Sequence, residues 1–173
     1  MGKALADAAA VVIRVGFALL ALLFAAAPVF AAEDAGLARM ATCRESWLDW
    51  QTKDPAQLKK FGEHLHAEFS PHGNDAFVVP NANVSVAGLR VTQLFPDSVG
   101  MGVGLSVTVD APFDKARQVI EKSAGKPLTK CETSDGMRTC ELAIAEKRTL
   151  MLMAEDSPKA TTTLVGCYYF YEK

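Results

Sequence analysis

The sequence predicts an α+β fold: a helical hairpin, then an antiparallel sheet of about five to six strands, with one helix inserted before a four-strand C-terminal meander. Three patterns lead there. Apolar residues recur every three or four positions between residues 34 and 69, apolar and small residues alternate strictly between 99 and 110, and four short strand-like runs separated by turn residues fill 128–171.

The first helix spans Asp34 to Thr52, with Leu37, Met40, Cys43, Trp47 and Trp50 on one stripe. Asp54 then suits an N-cap and Pro55 a first helical turn, and Leu58, Phe61, Leu65 and Phe69 continue an apolar face until Ser70-Pro71-His72-Gly73 ends it. After a short apolar run at Phe77–Val79, one strand is expected over Val84–Phe95. Pro96-Asp97-Ser98 turns the chain into a second strand, whose Val99, Met101, Val103, Leu105, Val107 and Val109 face one way and whose Gly100, Gly102, Gly104, Ser106, Thr108 and Asp110 face the other. Pro112–Ala124 reads as a helix with Phe113, Ala116 and Ile120 aligned and Gly125 as its C′ residue.

The last four strands are Leu128–Thr133, Arg138–Ala145, Arg148–Ala154 and Ala160–Tyr171, joined by Asp135-Gly136, Glu146-Lys147 and Glu155–Lys159. Their order after a strand and a helix resembles the cystatin-like folds, in which a sheet wraps one helix. That likeness is of topology alone and carries no function.

Residues 1–31 read as a secretory signal peptide. Lys3 and Arg14 precede an uncharged apolar run, Pro28 breaks it, and Val29-Phe30-Ala31 offers a cleavage site after Ala31. The alternative is a retained anchor, since Val15–Ala32 is uncharged and near the length of a short membrane span. Residues 32–173 then form a single α+β domain, long enough to bury its own core. Taking Lys3, Arg14 and Asp7 from the 18 basic and 20 acidic residues leaves 16 and 19, a net charge of −3, which provides no basic surface for nucleic acid.

All four cysteines lie beyond the leader, and an even count in that context predicts disulfides formed in an oxidising compartment. Asp135-Gly136 is a type I′ turn signal. Counting outward from it sets Ser134 opposite Met137 and Cys131 opposite Cys140, at a non-hydrogen-bonded position where the strands approach most closely. Cys43 is left to pair with Cys167. No Cys-x-x-Cys spacing occurs, which sets aside a thioredoxin-type dithiol.

Candidate sites are few. His64, His66 and His72 fall near Glu63, Glu68 and Asp75, a composition that suits zinc or copper. Residues two apart on a helix diverge, so only His64 with Glu68, or with His72 folding back, can converge on one ion. The alternating glycines lack the spacing of a phosphate loop and predict instead a close approach, by the Pro112–Ala124 helix, by the tryptophans or by a ligand. Tyr168, Tyr169 and Tyr171 on the last strand are a candidate partner surface. Gly104-Leu105-Ser106 lacks the second glycine of a nucleophile elbow, so no catalytic residue is assigned. Asn83-Val84-Ser85 is a glycosylation sequon, and the methionines fit core filling better than copper binding.

These observations lead to an expectation of an exported, disulfide-stapled binding domain, periplasmic or secreted, without catalysis or cofactor of its own. An inhibitor or accessory factor acting on an envelope or secreted protein is one form of it. The alternative is a periplasmic metal or small-molecule carrier using the His64–His72 region or the glycine-lined strand face.

Overall fold

A computed structural model describes residues 32–95 and 102–170. It is an α+β fold with four helices and ten strands among those residues, more strands than the sequence pattern predicts. The helices are α1 (Ala35–Ala41), α2 (Trp47–Lys53), α3 (Pro55–Glu68) and α4 (Phe113–Ala124). The strands are β1 (Ala32–Glu33), β2 (Phe69–Pro71), β3 (Val78–Pro80), β4 (Val84–Val86), β5 (Leu89–Phe95), β6 (Gly102–Val109), β7 (Lys130–Ser134), β8 (Met137–Ala145), β9 (Arg148–Glu155) and β10 (Thr163–Phe170). Nine strands pair antiparallel, and β1 adds a parallel pairing to β4. The sheet runs β1-β4-β5-β6-β10-β9-β8-β7, with β2 and β3 beside β5.

The single helix expected over Asp34–Thr52 is two helices. The chain leaves α1 through Cys43 at φ 58°, in the left-handed region that a continuous right-handed helix cannot contain. Ser46 then restarts helix α2 by accepting the Asp49 N–H on its hydroxyl. Asp54 caps α3 in the same way, ahead of Pro55 in the first turn.

The strand expected over Val84–Phe95 is likewise two. Ala87 (φ 52°) and Gly88 (φ 77°) form a two-residue turn, the geometry that a tight hairpin requires. Strand β1, too short for a pattern to reveal, tightens that turn. The Glu33 carboxylate accepts from Ala87 N at 3.0 Å, Gly88 N at 3.1 Å and Ser85 Oγ at 3.0 Å.

Strand β10 returns from the end of the meander to pair with β6, Cys167 opposite Leu105 and Tyr168 opposite Gly104. That closure brings the sequence-distant halves of the chain into one sheet. Helix α1 packs on β4, β6 and β10, and α4 packs on β9. Leu37, Met40, Trp50, Phe61, Phe113 and Ile120 from the four helices share one core with Leu105, Val107, Leu150, Leu152 and Val165 from the sheet. At about 25 cal/mol per Å² of apolar surface removed from water, each fully buried Leu or Val there contributes about 1.5–3 kcal/mol.

Two disulfides staple this layer pair. Cys43–Cys167 joins the end of α1 to β10, with Cα atoms 5.1 Å apart and a sequence separation of 124. Cys131–Cys140 crosses the β7–β8 hairpin between directly opposed residues. Chain-entropy arguments assign the long bridge about 5 kcal/mol and the hairpin bridge about 3 kcal/mol.

Candidate binding surface and histidine cleft

Side chains alternate along β10, and the two sets meet different surroundings. Thr163, Val165, Cys167 and Tyr169 point to the helices. The Tyr169 hydroxyl donates to Ser46 Oγ, and its ring meets Trp47 edge to face at 6.4 Å. Nearby, Arg148 on β9 donates to Asp49 of α2 at 3.2 Å. Tyr169 is therefore a helix-side residue that fastens α2 to the sheet.

Leu164, Gly166, Tyr168 and Phe170 point the other way. Tyr168 is 1% exposed yet lies outside the core shared with the helices. The glycines explain how it lies flat. A Cβ on Gly104 would collide with the Cys167 carbonyl oxygen and sit 2.9 Å from Cδ1 of Tyr168, and one on Gly166 would sit 2.7 Å from Cε2 of the same ring. At Gly104 the glycine-lined strand face is thus filled by Tyr168 of the neighbouring strand. The helix 112–124 and the tryptophans, expected to fill it, pack on the opposite face.

The Tyr168 and Ser106 hydroxyls are both buried and neither has a hydrogen-bond partner of good geometry. Burial pushes the Tyr168 hydroxyl above its ordinary pKa, and Ser106 offsets that only in part. Tyr171, the third tyrosine of the candidate surface, lies outside the described residues, as do the leader and the 96–98 turn.

Around Tyr168 the same face carries an apolar strip. Met153 pairs with Leu164, Met151 with Gly166 and Thr149 with Tyr168 across β9 and β10, while Phe95 of β5 stands opposite Ser106. Met151, Met153, Leu164, Phe95 and Phe170 are all partly exposed, and none belongs to the helix-side core. Phe95 also contacts Phe77, whose ring stacks on His72 at 5.4 Å. Sequence alternation places these residues on one face of each strand, but only the β5–β6, β6–β10 and β9–β10 pairings make them contiguous.

The histidines separate. His72 joins the aromatic row, whereas His64 on α3 places Nε2 2.6 Å from Asp34 Oδ2, with Asp34 Oδ1 accepting the Leu37 N–H at the start of α1. His64 and Glu68, together with Asp34, Asn83 and Val84, line an open cleft of 310 Å³. Among the described residues no three His, Cys, Asp or Glu side chains gather closely enough to hold a metal ion. Asp34 was missed as a partner because its capping role hides, in sequence, a carboxylate oxygen free to turn toward another helix.

A second cleft, of 190 Å³, lies between α4 and the β7–β8 hairpin and is lined by Phe113, Arg117, Cys131, Glu132, Arg138 and Cys140. Arg138 stacks over the Phe113 ring at 4.5 Å and donates to Asp114 at 2.8 Å. That bond holds the Asp114 carboxyl below the ordinary carboxylate range. Arg117 donates to Glu121 at 2.9 Å and to the Leu128 carbonyl at 3.2 Å, and lowers the Glu121 pKa by the same means. Among the described residues no helix is long and apolar enough to cross a membrane. Set against known proteins, the chain matches no family model, no curated protein and no solved structure.

Proposed function

We propose that this protein is an exported, disulfide-stapled binding domain of the periplasm or extracellular space, whose open sheet face receives an apolar segment of an envelope or secreted partner. The observation that carries the reading is the strip of Met151, Met153, Leu164, Phe95 and Phe170, partly exposed on a rigid sheet and separate from the core. Contiguous apolar residues outside a core mark interaction surfaces, and methionine adapts to the shape of what it meets. The two bridges, the even cysteine count and the basic-then-apolar leader support export. An inhibitor or accessory factor remains one form of this reading, with its contact surface moved from the tyrosines to the methionine strip.

A photo-crosslinking residue at Leu164, in protein carrying its own leader, tests it. The expected result is one discrete adduct in the envelope or medium fraction, absent when the probe sits at exposed Gln51 and absent when Met151→Lys and Met153→Lys accompany it. Equal labelling from both positions would end the reading.

The second reading, a small-molecule carrier, draws on the cleft at His64 and Glu68. His64→Ala is expected to abolish stoichiometric uptake in native mass spectra, and unchanged uptake removes the histidine from it.

A further inference from the structure

We infer that the Cys131–Cys140 bridge is a thiol-exchange site: Cys131 accepts an incoming low-molecular-weight thiol and carries it as a mixed disulfide, while Cys43–Cys167 stays closed. The two bridges differ in what can reach them. Cys43 and Cys167 are 2% and 4% exposed in the core, so no thiolate approaches either sulfur without unfolding. Cys131 is exposed, on an edge strand whose five residues are all exposed, and it lines the cleft between α4 and the hairpin. Exposed bridges are the ones that exchange with thiols.

The direction of attack follows from burial. Cys140 is 1% exposed, so the incoming thiolate meets the sulfur of Cys131. A bond forms between the two sulfurs, the Cys131–Cys140 bond breaks, and its electron pair leaves on Cys140, which takes a proton from solvent. A second thiol attacks the mixed disulfide and releases the oxidised thiol pair, leaving two reduced cysteines. The negative charge shared by three sulfurs at the crest of each step develops beside Arg117 and Arg138, which line the same cleft. Glu132, on the cleft wall, opposes them, and Asp114 and Glu121 remain engaged with the guanidinium groups.

The fold tolerates the step. None of the residues of β7 is buried, the bridge closes a separation of only nine residues, and the hairpin stays anchored through Arg138 on Phe113 and through buried Leu128.

Full-length protein with both bridges formed is incubated with reduced and oxidised glutathione, quenched by alkylation and mapped by peptide mass. The expected product is folded protein with one glutathione on the Cys131 peptide and an intact Cys43–Cys167 bridge. Arg117→Gln is expected to slow its formation about fivefold. Cys140→Ser protein is expected to take one glutathione, and Cys131→Ser protein none while folded. No adduct before unfolding, opening of both bridges together, an adduct on Cys140, or an unchanged rate in Arg117→Gln would each overturn the inference.

Discussion

The two faces of the sheet are built from neighbouring residues of the same strands, yet they do different work. On β9, Leu150, Leu152 and Ala154 are buried against the helices, while Met151 and Met153 between them are partly exposed. On the helix side, branched side chains interdigitate and a disulfide locks the layers together. The opposite face is smoother: glycine and serine let one tyrosine lie flat, and flexible methionines surround it. The helix-covered face therefore holds most of the packing energy, whereas truncating the partly exposed methionines of the other face leaves little cavity behind.

The contrast is sharpest at the long bridge. Replacing Cys43 and Cys167 together by Ser is expected to remove about 5 kcal/mol, the largest loss of any change considered, seen as a fall in the denaturant midpoint. Within β9, Leu152→Ala is expected to cost about 3 kcal/mol and Met153→Ala less than about 1 kcal/mol in the same assay. Equal costs would mean that the open face is packed as tightly as the other. Gly104→Ala tests the one place where the open face is close-packed. The added carbon collides with backbone, so a loss of about 2 kcal/mol with an altered tyrosine near-UV signal is expected, against a gain of about 0.5–1 kcal/mol for Gly62→Ala, which lies inside α3 with no neighbour within 4 Å.

The smallest effect lies at the α4–β8 contact. Asp114 has an ordinary value of 3.8 that Arg138 lowers in the folded protein, so its contribution is complete above the unfolded value and fades as pH falls through the folded one. Arg138→Gln is expected to be destabilised at pH 6, with its difference from wild type narrowing below about pH 3.8. A difference constant across that range would mean that the cation–π contact with Phe113 acts alone.

Much of this architecture was legible in the chain because the signals were local. Asp54-Pro55 announces α3, Gly125 closes α4 at φ 70°, and Asp135-Gly136 sets the register that opposes Cys131 to Cys140. The misses were local as well: Ala87-Gly88 makes a turn within a run of β-formers, and the left-handed Cys43 breaks a stripe that still reads as one helix. The candidate surface was less legible. An exposed tyrosine and a buried one have the same letter, and adjacent Tyr168 and Tyr169 were separable only once the direction of their strand was known.

The sequence by itself determined the class of fold, the hairpin bridge and, by elimination, the long one, since turn chemistry and periodicity act over a few residues. Only the tertiary structure decided that β10 returns beside β6. That pairing draws together residues about 60 positions apart, and no local preference encodes it. It sends Tyr168 to one face and Tyr169 to the other, fills the glycine trough, joins the methionines into a strip and leaves one bridge in the core and the other at the edge.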